Sequence, residues 1–263
     1  MEFKLNITMA DPAGNRTAFV EGDVPPEQYA AVGAALLKEA DLRAEQGGFV
    51  CPPLSSGIGR LEMMGGEFCG NAARSFGLWM GLRTGKKAGD IVPIEISGSH
   101  SVLNVTLEEH GSWISMPLPQ KIITIEVGGS HYPAVVLEGI THVILEHIEP
   151  SEELAHAVIA EATKQTDSDA TGAIFIDGDH MTPAVWVRAA GSFFWEGSCG
   201  SGTLAATIWL GREVKDGTYS RELIQPGGIL KANFTVKDGK FLDAQIGGPV
   251  CFEEPIVRTI TLP

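Results

Sequence analysis

Two cysteines stand where their surroundings equip them for chemistry. Cys199 lies in Trp195-Glu196-Gly197-Ser198-Cys199-Gly200-Ser201-Gly202-Thr203, and the small, apolar run Leu204 to Gly211 follows it directly. Gly200 and Gly202 permit tight turning and close approach of a ligand. Ser201 or Thr203 can cap a helix. A thiol just before a helix N-terminus is stabilised as thiolate by free backbone N–H groups and the helix dipole. Cys69 sits in a similar setting 130 residues earlier, in Phe68-Cys69-Gly70-Asn71-Ala72-Ala73-Arg74. The same shift of 130 sets Gly70 on Gly200, Trp79 on Trp209 and Gly81 on Gly211.

A single nucleophilic thiol needs a base beside it and an oxyanion site. Two thiols in equivalent halves suit another task. With a substrate between the halves, one thiolate can remove a proton from a tetrahedral carbon while the other thiol delivers one to the opposite face. Inversion needs that pair, and reversibility needs each group to serve as acid and as base, which suits a cysteine with its pKa near neutrality. Two helix N-termini meeting at the substrate could also bind its α-carboxylate. No lysine lies in either cradle, so nothing points to a pyridoxal phosphate Schiff base. Four cysteines without a CxxC or a His/Cys cluster argue against zinc. Asp177, Asp179 and His180 read as a hydrated turn rather than a metal set. No cofactor and no metal are expected.

The elements that must position these thiols also repeat. In the first half, strands are expected at Phe3–Met9 and Thr17–Val20, a helix from Pro26 to about Glu39, and a strand at Arg60–Met64 leading to Cys69. A buried helix follows Cys69, then strands at Ile91–Ile96, Ser101–Leu107 and near Trp113–Met116. In the second half, strands at Ile122–Val127, Ala134–Leu137 and His142–Leu145 precede a helix at Ser151–Ala162. Val185 to Arg188 leads toward Cys199, and strands at Ile229–Val236 and Phe241–Ile246 follow its helix. The order strands, helix, strands, cysteine cradle, helix, strands occurs twice, which implies two similar units. The expectation is an α/β (α+β) protein of two pseudo-symmetric domains, 1–118 with Cys69 and 119–263 with Cys199, and an active site between them. Each is a curved, antiparallel-rich sheet or barrel around a central helix.

Size and charge narrow the class. The 263 residues suit two domains of about 130, each able to bury a core. With 33 acidic and 19 basic residues the formal charge is −14, which argues against a nucleic-acid binder. The first residues lack a basic segment followed by a long apolar run, and no apolar stretch reaches membrane-spanning length. A cytoplasmic, reduced protein with no membrane partner is expected.

Other residues carry two readings. Asn15 is either a turn asparagine or a ligand contact. Cys51, before Pro52-Pro53, reads as an inert core or edge cysteine. His142 and His147 alternate with apolar residues and read as structural or edge positions. Arg74 either holds its helix against the sheet or reaches another subunit.

At these motifs the chain resembles the diaminopimelate epimerase family of cofactor-independent amino acid racemases. The resemblance rests on Gly14-Asn15, Cys69-Gly70-Asn71-Ala72-Ala73-Arg74, Cys199-Gly200-Ser201-Gly202-Thr203 and Pro226-Gly227-Gly228, in the family's order. It implies that Cys69 and Cys199 are the catalytic pair, that Asn15 and Asn71 contact the substrate amino and carboxylate groups, and that Gly70, Gly200 and Ser201 supply backbone N–H groups. It also implies a homodimer. The family's Glu-Arg pair, which holds the distal end of diaminopimelate, is here Ala190-Gly191, and its Gly-Asn-Pro-His segment is Gly139-Ile140-Thr141-His142. A buried carboxylate site does not lose its arginine cheaply. The cradles look closer to the branch that racemises histidine for metallophore biosynthesis, which implies a monomeric amino acid, histidine first. Glu45, Gln46, Phe194, Trp195 and Glu196 are the candidates near its side chain. The rivals are epimerisation of diaminopimelate or another amino acid, a proline-type racemase, a non-catalytic amino acid binding protein, and a thiol redox switch.

Overall fold

Phe3, Leu5, Ile7 and Met9 alternate with polar residues, and this period of two makes the first strand one-sided. In the computed structural model, which describes residues 1–188 and 191–262, those four side chains are buried on one face of β1 (Glu2–Asp11). Ala190, the first of the two departures noted above, lies outside the described residues. The chain divides into two compact units. One is Met1–Ile114 with Gly247–Pro263, and the other is Ser115–Ile246.

In the first unit β1 is followed by β2 (Thr17–Glu21), α1 (Tyr29–Leu36), β3 (Gln46–Cys51), β4 (Arg60–Met63), α2 (Gly70–Arg83), β5 (Ile91–Ile96), β6 (Leu103–Leu107) and β7 (Gly111–Ser115). The helix expected from Pro26 to Glu39 is shorter. Pro26–Gln28 forms a 3-10 turn, and α1 ends at Leu36, its last buried side chain. Strand pairing runs antiparallel for β1–β2, parallel for β2–β3, antiparallel for β3–β4, parallel for β4–β5 and antiparallel for β5–β6. Each parallel step is bridged by a helix, as parallel neighbours require.

The second unit contains β8 (Lys121–Val127), β9 (Ser130–Val136), β10 (Ile140–Glu146), α3 (Glu152–Gln165), β11 (Ala170–Asp177), β12 (His180–Val187), β13 (Ser192–Trp195), α4 (Gly200–Leu210), β14 (Gly217–Gln225), β15 (Gly228–Lys237) and most of β16 (Lys240–Pro249). Its pairing from β9 repeats the same alternation. It is antiparallel for β9–β10, parallel for β10–β11, antiparallel for β11–β12, parallel for β12–β14 and antiparallel for β14–β15. The short β13, which the sequence reading did not anticipate, pairs with the end of β12. After β16 the chain ends in β17 (Cys251–Phe252) and β18 (Ile256–Thr261), both paired antiparallel with β1.

The helix after each cysteine is the hub of its unit. Most residues of α2 and α4 are buried, and apolar or small residues surround both helices, as for a helix with no solvent face. α2 packs against β1, β5 and β6, and α4 against β9, β10, β11, β14 and β15. The matched glycines allow that packing. A Cβ on Gly81 would meet Leu107 at 2.6 Å, and one on Gly211 would meet Tyr219 at 2.6 Å. The matched tryptophans each carry an arginine over the ring, Arg83 at 4.2 Å from Trp79 and Arg212 at 4.1 Å from Trp209.

Candidate active site

β4 and the segment after it deliver Cys69 to the N-cap of α2, with φ −130° and ψ 113°. An N-cap side chain normally presents oxygen to the first-turn N–H groups. Here the sulfur takes that place, and the Ala72 N–H donates to Sγ across 3.5 Å. Gln46, at the start of β3, donates from Nε2 to Cys69 Sγ at 3.3 Å, to Asn15 Oδ1 at 2.9 Å and to Thr17 Oγ1 at 2.8 Å. One NH2 group is thus shared among three acceptors. The Cys69 thiol in turn points at Asn15 Oδ1 from 3.7 Å. Asn15, Gln46 and Cys69, singled out separately in the sequence, form one cluster. Glu45 adjoins it through a hydrogen bond to Asn15, and burial raises the pKa of its carboxyl.

Asn71 is buried on the first turn of α2, where its Oδ1 accepts from Arg74 Nε at 3.1 Å. Arg74 is 0% exposed. Its guanidinium donates to the carbonyls of Gly248 (2.8 Å), Pro249 (3.2 Å) and Pro12 (3.2 Å). It therefore fastens α2 to the returning C-terminal segment and to the Asn15 turn, the first of the two readings above. Burial lowers its pKa to about 10, and the negative charge Cys69 can carry opposes that lowering. Arg74 therefore stays cationic at neutral pH, close enough to Cys69 to interact with a negative charge on its sulfur.

Cys199 repeats the geometry at the N-cap of α4, with φ −126° and ψ 112°. The Gly202 N–H donates to its Sγ at 3.4 Å. Ser201 Oγ lies 3.6 Å from the same sulfur. A buried side chain absent from the predicted site, Gln225 at the end of β14, locks this cap. Its Oε1 accepts from the Cys199 N–H at 2.8 Å, and its Nε2 donates to Thr203 Oγ1 at 2.8 Å. Thr203 Oγ1 donates to the Cys199 carbonyl at 2.6 Å. The only local signal was a polar residue before Pro226-Gly227-Gly228, which is too generic to assign. Burial pushes the Cys199 thiol well up, and the charge of Glu196 and a hydrogen bond to it push the same way. Ser201 and the Gly202 N–H act in the opposite sense. The first-turn N–H groups of Gly70, Gly200 and Ser201 are among those that helical bonding leaves without an intrahelical partner.

Of the two readings of His142, structural or edge, the structure bears out the first: β10 runs between β9 and β11, and the imidazole is fully buried with Nε2 2.9 Å from Ser201 Oγ. In the Asp177–His180 turn, Asp177 pairs with His147 at 2.8 Å and Asp179 with Arg221 at 3.0 Å. Cys51 is half-buried beside the Tyr29 hydroxyl at 3.2 Å. Phe194 and Trp195, on β13, are exposed.

The family model described as "Histidine racemase CntK N-terminal domain" matches residues 4–253. The chain is similar to the histidine racemase of Fusobacterium nucleatum subsp. nucleatum, at 31% identity over 242 residues, covering 86% of this chain and 88% of the relative. It is also similar to the histidine racemase of Staphylococcus aureus, at 24% identity over 232 residues, covering 84% and 85% respectively. Among solved structures, a hydroxyproline epimerase from Agrobacterium vitis superposes with a TM-score of 0.68 over 99% of this chain and 94% of that one, at 13% identity. That likeness is one of fold.

Proposed function

The chain belongs to the histidine racemase family, and on that premise we propose that it interconverts L- and D-histidine with Cys69 and Cys199 as the two acid–base groups. The observation that carries this reading is the shared N-cap geometry. Each sulfur accepts a hydrogen bond from the backbone N–H three residues on, at 3.5 Å for Cys69 and 3.4 Å for Cys199. Such a bond favours thiolate over thiol.

The two thiols have unlike surroundings. Gln46 Nε2–H donates to the Cys69 sulfur, and a negative charge there and the Arg74 guanidinium attract each other. Burial and Glu196 keep Cys199 protonated. Cys69 then removes the α-proton from the enantiomer that presents it, and Cys199 delivers a proton to the other face. The second half-cycle starts from the opposite protonation state. Carbanion charge spreads onto the substrate carboxylate, where the first-turn N–H groups of Gly70, Gly200 and Ser201 stabilise it. Asn15 and Asn71 orient the amino and carboxylate groups. Glu45, Gln46, Phe194, Trp195 and Glu196 are the candidates for reading the imidazole. A homodimer is part of the proposal.

Chiral chromatography of products from L-histidine, L-aspartate, L-glutamate, L-proline and diaminopimelate tests the reading. D-histidine should dominate. Turnover of diaminopimelate in its place would mean that another group does the work of the arginine replaced at Gly191.

A further inference from the structure

We propose that His142 is a positioning residue for Cys199: its Nε2–H donates to Ser201 Oγ, so the serine hydroxyl hydrogen turns onto the sulfur and supports the thiolate. The inference rests on the reading of Cys199 as one of the two acid–base groups. The three side chains form a line within the second unit. His142 Nε2 is 2.9 Å from Ser201 Oγ, and Ser201 Oγ is 3.6 Å from Cys199 Sγ.

The direction of the line follows from the tautomer. Burial drives the pKa of His142 down to about 3, so the ring is neutral and holds one N–H. Among the described residues Nδ1 has no hydrogen-bond partner, although it is buried. A proton on Nδ1 would leave a buried donor unmet, and Nε2 would then draw the Ser201 hydrogen away from the sulfur. A proton on Nε2 satisfies the donor and fixes Ser201 as donor to Cys199. The ring is also held in a made-to-measure slot. A Cβ on Gly172, its partner across β10–β11, would fall 2.2 Å from His142 Nδ1. The charge that acts on Cys199 is Glu196, which favours the thiol. The His142–Ser201 line opposes it without adding charge, since a neutral ring polarises the hydroxyl and transfers no proton. Cys199 can thereby pass through both protonation states during the cycle. Cys69 meets the same need differently, through the Gln46 amide.

The test uses the full chain carrying [3-13C]cysteine. Its four cysteines give four Cβ signals, and Cys199→Ser identifies the relevant one. The signal is followed with pH in the wild type, Ser201→Ala, His142→Leu, His142→Gln and the Ser201→Ala/His142→Leu pair. Ser201→Ala and His142→Leu should each move the thiol–thiolate transition upward, cutting the thiolate fraction at a given pH by roughly tenfold or more. His142→Gln, which keeps an N–H near the place of Nε2, should recover most of that loss. The double variant should shift no further than Ser201→Ala alone. With histidine as substrate, kcat should fall while KM holds, because the backbone N–H of residue 201 is unchanged. An unmoved transition in Ser201→Ala or in a folded His142→Leu would overturn the proposal. So would additive shifts in the double variant, or a Gln variant as impaired as Leu. The titration is independent of turnover, so failure of histidine as a substrate would leave this test standing.

Discussion

Cys199 and Gly202 form a helix cap with sulfur as the acceptor: the Gly202 N–H points at Sγ from 3.4 Å, as the Ala72 N–H points at Cys69 from 3.5 Å. On the proposed mechanism the cap serves the fold and the chemistry through the same atom, and serine separates the two. Cys69→Ser and Cys199→Ser keep an acceptor for the N–H but replace the thiol with a far weaker acid. Each should retain wild-type thermal stability and lose at least about 100-fold in kcat. The alanine variants should lose the same activity and a further ~1 kcal/mol of stability. Paired melting and racemisation assays check both halves.

Arg74 has the largest wholly buried side chain. Its carbonyl partners at Pro12, Gly248 and Pro249 come from distant parts of the sequence. Arg74→Met would fill the volume and leave those acceptors unmet. It should cost about 3 kcal/mol in urea unfolding, in line with loss of one partner from a buried charged network. It should also lower kcat, since the positive charge that interacts with the Cys69 sulfur is gone. Full stability in Arg74→Met would contradict this account.

Acid should destabilise the protein through His142. Its folded pKa, about 3, lies below the value near 6.5 of the unfolded chain. Between those two values the unfolded state binds the extra proton, so stability falls as pH falls through that window. The loss approaches the order of 4 kcal/mol across the whole window. Urea unfolding at intervals from pH 7.5 to 4 should show the decline beginning near pH 6.5, and His142→Leu should flatten it.

Gln225 braces the second cap from β14. Gln225→Leu would strand the buried Cys199 N–H and release Thr203, at a cost of about 1–3 kcal/mol. It should also lower kcat more than an exposed substitution on the same strand, such as Glu222→Gln. Equal activity in the two variants would remove Gln225 from the positioning set.

The site residues that could be read in the sequence are those whose signals are local. A cysteine, a glycine and a small apolar run mark each buried helix start, so Cys69 and Cys199, their helices and the repeat were legible from short segments. Asn15 and Gln46 were named from a turn and a family likeness, and only the parallel pairing of β2 with β3 shows that they share one hydrogen-bond cluster with Cys69. The remaining features depend on distance in sequence. β18 looks like any short exposed strand until it pairs with β1, more than 230 residues away. For His142 the structural and edge readings stayed open because its partner, Ser201, lies 59 positions downstream. Arg74 showed its charge, but not the three carbonyls that surround it.

The most direct test of the two-cysteine account is the fate of the α-hydrogen when L-histidine is turned over in heavy water under reducing conditions. With separate thiols on the two faces of Cα, the abstracted proton stays on one sulfur while deuterium arrives from the other. Early in the reaction the D-histidine formed should carry deuterium at Cα and the recovered L-histidine should not. Deuterium appearing equally early in both enantiomers would mean one group serving both faces and would contradict the account.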